Sequence, residues 1–255
     1  MFFRQLFDRE SCTYTYIIAD PDTQEAILVD PVLEQVERDC NLLKELGLTL
    51  RYCLETHIHA DHITGTAKLR ELTGCLGVLP ENAPTDCANQ FIQDGEILHI
   101  GSISIKAIAT PGHTNSHMAY LIDNAGDTAS QKQLKVLTGD ALFIRGCGRT
   151  DFQDGDAGSL YDSVTQRLFT LPDNTQVYPA HDYQGRIVST IAEEKRWNPR
   201  FVDDESPEPG TEAVSHLRSR AGFIELMDNL DLPQPEKIME AVPANRRCGN
   251  LASSS

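Results

Sequence analysis

The chain has no apolar run approaching the roughly 18 residues that a membrane span requires. It is also poor in positive charge: 22 Lys and Arg stand against 38 Asp and Glu, a formal net charge of -16. That balance argues against nucleic acid and against a membrane surface as partners. An anionic small substrate would need a local positive anchor. CxxC pairs are missing as well. The seven cysteines (Cys12, Cys40, Cys53, Cys75, Cys87, Cys147 and Cys248) are odd in number and unpatterned, which predicts reduced thiols in a cytoplasmic compartment. Most read as small buried apolar residues, with Cys147 set apart by its Gly-flanked loop. In the opening MFFRQLFDRESC no apolar run leads to a small-residue cleavage site, so it reads as mature protein.

An apolar fraction of 40% and a charged fraction of 24% over 255 residues suit a globular protein of one large domain or two small ones. YTYIIAD (14–20) and EAILVD (25–30) read as strands joined by the turn PDTQ. Asp30 and Pro31 then read as N-cap and first helical residue, with Leu33, Val36, Cys40 and Leu43 at helical spacing and Gly47 closing the helix. TLRYCLETH (49–57) returns to strand, and TAKLRELTG is a short helix ended by Gly74. A β-rich stretch follows through GVLP, EILHI, ISIKAIATPGH, HMAYLID and LKVLTGD. Helices are expected over 157–170 and 187–197, with the strand QVYPA between them. DDESPEPGTEA (203–213) reads as an exposed loop, VSHLRSRAGFIELMDNL as helix, LPQPEKIMEAVPAN as a tail and ASSS as disordered. Two β-rich halves with helices suggest a layered α/β sandwich.

Histidines are concentrated at strand ends. ETHIHADHITG carries His57, His59, Asp61 and His62; TPGHTNSH carries His113; LTGDALF carries Asp140; YPAHDYQG carries His181. Loops there project side chains from a rigid sheet, and imidazole and carboxylate are the donors that zinc, iron or manganese take. His57 and His59 face the same side of an extended backbone, while Asp61 and His62 fall on the following turn. One such His alone would read as a satisfied core residue. Burying the whole cluster unpaired would cost several kcal/mol, so it reads as a metal centre. His99 and His216 have no ligand partner nearby, and His117, which opens an apolar strand, reads as structural or supporting.

The order His57, His59, Asp61, His62, His113, Asp140, His181 resembles the signature of the metallo-β-lactamase superfamily, HxHxDH followed by a His, an Asp and a last His. The resemblance implies an α/β chain folded as an αββα sandwich with metal at one edge of its sheets. We expect a catalytic domain over 1–200, with 201–255 as a C-terminal helix and tail packed on it. Two branches compete. Glyoxalase II hydrolases also carry a GCGR-like loop, but they usually continue it with aromatics and Glu-Gly, where this chain has GCGRTDFQDG (146–155). They commonly follow the last His with Glu-Tyr-Thr, where this chain has HDYQG. Together with EEKRWNPR (193–200) and LPQPEKIMEAVPANRRCG, these segments look like the persulfide dioxygenase branch. NAGDTASQKQLK (124–135) and the acidic stretch 203–219 depart from it as insertions.

That branch implies one Fe(II) per chain on His57, His113 and Asp140, with His59, Asp61, His62 and His181 orienting ligands and shaping the pocket. The retained donors equally spell a dinuclear site: His57, His59 and His113 on one metal, Asp61, His62 and His181 on the other, Asp140 between. The implied reaction takes glutathione persulfide, O2 and water to glutathione and sulfite. Arg149 is then the expected anchor for a glutathione carboxylate, Tyr183 a hydroxyl donor near the substrate, and Cys147 a lining group. A homodimer is in keeping with the branch. The hydrolase reading, a glutathione thioester at two metals, is the alternative.

Overall fold

In the computed structural model, which describes residues 1–128, 132–204 and 215–250, two six-stranded sheets lie face to face. The first runs in chain order: β1 (Phe2–Phe7), β2 (Tyr14–Ala19), β3 (Glu25–Val29), β4 (Thr49–Leu54), β5 (Leu76–Pro80) and β6 (Gln90–Ile92). Two helices, α1 (Val36–Glu45) and α2 (Thr66–Thr73), make the crossovers that let β3, β4 and β5 run parallel. The second sheet holds β7 (Ile97–Ile100), β8 (Ile103–Ala109), β9 (Met118–Asn124), β10 (Lys135–Gly139), β11 (Gln176–Pro179) and β12 (Ser189–Thr190), again neighbour to neighbour. Helices α3 (Ala157–Ser163) and α4 (Ile191–Trp197) cover its outer face, joined by α5 (Arg220–Asp228). This is the expected αββα sandwich.

Alternation along each strand explains why YTYIIA reads as one apolar run. Tyr16 and Ile18 point between the sheets, where they meet Ile105, Tyr120 and Ile122 of the second sheet. Ile17 and Ala19 point outward and pack with Val36 and Leu43 of α1 and Leu69 of α2. A strand buried on both faces has no polar side to show. On the far side, Leu160 of α3 and Phe223 and Met227 of α5 close over Ile108, Val136 and Phe201. The rings of Phe201 and Phe223 stack at 4.8 Å.

Several expectations change. Asp30 does not cap a helix; it sits at φ 50 with its carboxylate on Thr56, and the helix begins as a 3-10 turn at Leu33–Gln35. The opening segment is β1, an edge strand paired with β2. The helix expected from 157 passes into a π stretch over Val164–Leu168, and α4 starts at Ile191, capped by the Thr190 hydroxyl that accepts from the Glu193 amide. Before α5, β13 (Val202–Asp204) pairs with β14 (Ser215–Leu217), so that part of the expected helix is strand. The tail is a helix, α6 (Ile238–Asn245), despite Pro243 inside it. Its Ala241 and Ala244 are buried against Ile63, so tertiary packing overrides weak local propensity.

The exposed loop, the disordered ASSS and part of each insertion fall on residues 205–214, 251–255 and 129–131, outside those described. The thiol pattern also needs correction: Cys87 and Cys248 form a disulfide, leaving five free cysteines. Their positions lie 161 residues apart and meet only because the segment after α6 packs beside the loop after β5, which linear spacing does not encode. No helix among the described residues is long and apolar enough to cross a membrane.

Phe223→Ala should lower the unfolding free energy by about 3–5 kcal/mol, the usual range for emptying a buried aromatic site. A denaturant titration read by tryptophan fluorescence checks this, and an unchanged midpoint would mean that α5 is not part of the core.

Candidate metal centre

Four strand ends converge on one edge of the sandwich: β4 leads to His57, β8 to His113, β10 to Asp140 and β11 to His181. The two sheets are stitched together there. The Met118 amide donates to the Thr56 carbonyl (2.8 Å), the Tyr14 amide to the Ala180 carbonyl (2.7 Å), and the Tyr120 hydroxyl to the Glu55 carbonyl (2.8 Å). Candidate ligands from different sheets thus share one rigid frame.

Hydrogen bonds set the tautomer of each ligand. The Thr56 hydroxyl gives its single proton to Asp30 Oδ2 (2.9 Å), so His57 Nδ1–H must donate to Thr56 Oγ1 (2.9 Å). His113 Nδ1–H donates to the Arg149 carbonyl at 2.7 Å. Both rings keep Nε2 for a metal, the arrangement that outer hydrogen bonds commonly enforce. Burial, reinforced by the neighbouring His59, His113, His117 and His181, holds the His57 pKa well below its ordinary value, so the ring is neutral with a lone pair to give.

Asp140 is fixed through its backbone. His117 Nε2 accepts from the Asp140 amide (3.0 Å), and its Nδ1–H donates to Thr110 Oγ1 (2.8 Å). The same ring stacks 5.1 Å from His57. Gly139, at φ 51, leaves room for it: a Cβ there would lie 2.4 Å from His117 Nε2. Gly148 is needed for a similar reason, since its Cβ would meet the Asp140 carbonyl at 2.5 Å and His113 Nδ1 at 2.8 Å.

Donor atoms of His57, His113 and Asp140 lie within 4.8 Å of one another, and so do those of His59, Asp61 and His62. Asp140 Oδ1, His59 Nδ1 and His62 Nε2 are buried without a hydrogen-bond partner, as a metal site requires of its donors. The residues therefore fit the implied ion. The second set is also bound into the protein. Burial would lower the His59 pKa, but Asp30 and Glu55, at 3.1 and 3.4 Å from Nε2, raise it well above its ordinary value. Burial would raise Asp61, but His62 and His181 hold it well below the usual carboxylate range. His181 donates from Nδ1 to the Cys12 carbonyl (3.2 Å), and its Nε2 lies 3.6 Å from Asp140 Oδ1.

A cavity of about 640 Å³ opens on this centre. Arg149, Tyr183 and Cys147 all line it. The Arg149 guanidinium is already engaged, with Asp151 at 2.6 and 2.7 Å and with the Pro233 carbonyl at 2.6 Å. Tyr183 stands at the mouth, 71% exposed, its ring parallel to His181 at 6.1 Å. Burial pushes the Cys147 thiol up to about 12, and its sulfur lies 3.9 Å from Met227 Sδ. Among the other cations of the wall, Arg145 pairs with Glu194, Arg186 with Asp182 and Lys237 with Glu10. Arg200 also lines the cavity, and its guanidinium makes no hydrogen bond or ion pair with the described residues. Asp30 and Thr56 were not visible as site residues in the sequence, because their bonds to each other, to His57 and to His59 exist only in the fold, and neither was Arg200, which only the fold brings to the cavity.

Residues 9–87 match the metallo-beta-lactamase superfamily. A mouse protein named mitochondrial persulfide dioxygenase ETHE1 is 46% identical over 247 residues, 96% of this chain and 88% of its own. A probable metallo-hydrolase of Burkholderia pseudomallei is 33% identical over 282 residues, covering 96% of this chain and 92% of its own. Among solved structures, the crystal structure of ETHE1 from Myxococcus xanthus aligns with a TM-score of 0.85 at 51% identity, over 98% of this chain and 100% of that one.

Thr56→Val keeps the shape of the side chain and removes the hydroxyl between Asp30 and His57. Metal affinity should fall about 10–100-fold, as for other losses of a ligand-orienting partner; competition with a chromophoric chelator measures it. Cys147 should resist iodoacetamide at pH 8, where its thiol stays protonated, and peptide mapping of the labelled protein reads this directly.

Proposed function

Because the chain belongs to the ETHE1 persulfide dioxygenase family of the metallo-β-lactamase superfamily, it is an enzyme of that class, and we propose that it oxidises glutathione persulfide to sulfite at one Fe(II) held by His57, His113 and Asp140. The observation that carries this reading is the triad itself: two histidines whose Nδ1 is taken by a hydrogen bond and a carboxylate with an unpartnered oxygen, their donor atoms within 4.8 Å of one another. A two-His-one-carboxylate face leaves open positions on the ion. Bound there, Fe(II) supplies the redox chemistry that couples O2 to sulfur. The remaining work belongs to the chain.

His59, Asp61, His62 and His181 wall one side of the centre, tied to one another and to the buried Asp30 and Glu55, which keeps the polar surface fixed while substrate enters. Cys147, protonated and packed on Met227, offers the persulfide an unreactive wall. In a protein of charge -16 the glutathione carboxylates need a cation that is not already paired. Arg200, unpaired among the described residues, meets that need, whereas Arg149 shares its fork with Asp151 and contributes its carbonyl to His113. Tyr183 stands where its hydroxyl can meet substrate at the mouth.

A cytoplasmic site of action and a homodimer belong to the same proposal. The first rests on the five free cysteines, with the Cys87–Cys248 disulfide standing against it, and is read by fractionating cells that express the native gene. Light scattering reads the second.

Purified protein should carry about one iron per chain and take up O2 when given glutathione persulfide. Chelation should abolish uptake, and Fe(II) but not Zn(II) should restore it. Two zinc ions per chain, with thioester hydrolysis and no O2 uptake, would establish the hydrolase instead. Arg200→Ala should raise KM about tenfold or more, the value of a charge-assisted hydrogen bond, with kcat little changed. An unaltered KM would remove Arg200 as the carboxylate anchor.

A further inference from the structure

The motif VPANRRCG, which marks the C-terminus of the sequence, reaches the metal centre from behind. Its Asn245 is the last residue of α6 and is 1% exposed. The side-chain amide spends both of its donors and one acceptor position on one loop. Nδ2 donates to the His59 carbonyl (2.9 Å) and the His62 carbonyl (2.8 Å), and Oδ1 accepts from the Thr64 amide (2.9 Å). The isolated bridge between Val32 and Thr64 bonds only the flanking Ile63 carbonyl and Gly65 amide, and no strand pairing among the described residues takes up those three groups, so Asn245 completes the hold on the HxHxDH turn. Around it the grip is continuous. The Cys248 carbonyl accepts from the Ala67 amide in the first turn of α2 (2.9 Å), and Ile63 is buried against Ala241 and Ala244. Gly249, at φ 89, packs so closely on the loop that a Cβ would lie 2.0 Å from the Thr64 carbonyl.

We propose that Asn245 is a positioning residue of the metal centre, holding residues 59–64 so that their side chains support the ligands. Two routes lead from that loop to the ligand set. His59 Nε2 meets Asp30, whose other oxygen receives the Thr56 hydroxyl that in turn orients His57. Asp61 Oδ2 lies 3.5 Å from His181 Nε2, which lies 3.6 Å from Asp140 Oδ1. A loop free to drift would loosen both routes at once. The inference rests on the metal site proposed above and not on the identity of the substrate.

The test uses the full chain with Asn245→Ala and Asn245→Asp, reading metal affinity by chelator competition, the melting temperature of the metal-free protein, and kcat and KM separately. Asn245→Asp preserves size and the acceptor for Thr64 but turns both donations into oxygen against oxygen. Affinity should fall about tenfold or more in each variant, with Asn245→Asp at least as impaired as Asn245→Ala, kcat reduced and KM near that of the unaltered protein. A residue that merely fills space would leave Asn245→Asp close to the unaltered protein; that result overturns the proposal. Should neither variant fold, amide hydrogen exchange in the unaltered metal-free protein decides. Slow exchange at Thr64, matching the strands beside it, supports the clamp, and exchange at the rate of an open loop overturns it. Affinity can be read with Fe(II) or Zn(II) and without substrate, so failure of the persulfide reaction and failure of the clamp give different results.

Discussion

The carboxylate of Asp30 is the interaction on which the rest of the site depends. It is buried at the end of β3, on a backbone turned to φ 50, and its own amide donates to the Leu54 carbonyl. From there it takes the amide and hydroxyl of Thr56 and the ring nitrogen of His59. A carboxylate removed from water must be given several donors, since an unpaired one costs several kcal/mol. Here those donors are the groups that decide how His57 and His59 face. The left-handed backbone at a non-glycine residue is a cost of about 1 kcal/mol or more, offset by the three hydrogen bonds that the turn makes available.

The sheets and the loops divide the work. β4, β8, β10 and β11 bring the clustered histidines and Asp140 to one edge, and the bonds from Met118, Tyr14 and Tyr120 across that edge stop the two halves from sliding. The pocket wall beyond is built from loops and from the C-terminal segment, which contributes Leu232 to Lys237. Precision therefore lies with the strands and substrate fit with the loops, as expected when binding residues ride on a rigid scaffold. The acid excess of the chain follows the same division. Arg145, Arg186 and Lys237 are each matched by a carboxylate, so the wall is studded with cations yet offers little free positive charge.

Much of this was legible in the residues. HxHxDH, His113, Asp140 and His181 stood out because each follows an apolar strand, and two-residue alternation predicts which side chains share a face. The layers were legible too, since strands such as YTYIIA, without a charged residue on either face, suit a sheet covered on both sides. Other features resisted for definite reasons. Asp30-Pro31 carries a helix-start signal, but the carboxylate is taken by Thr56, far along the chain. Pro233, Pro235 and Pro243 made α6 look like a tail, whereas burial of Ala241 and Ala244 carries it as a helix. Which arginine is paired is a property of the fold: among the described residues Asp151 and the Pro233 carbonyl take the Arg149 guanidinium, and none takes that of Arg200. The Cys87–Cys248 bond is hidden for the same reason.

The close approach of Gly139 to His117 has a consequence for how this site could change over generations. The ring occupies the space that any side chain at 139 would need, and it also carries the amide of Asp140. A lineage cannot enlarge 139 first without displacing the ring. Nor can it shrink 117 first without leaving the Asp140 amide unpaired in a buried place. Each single step is disfavoured by the other residue, so the two positions form a ratchet, and descendants should keep both or lose both together with the metal.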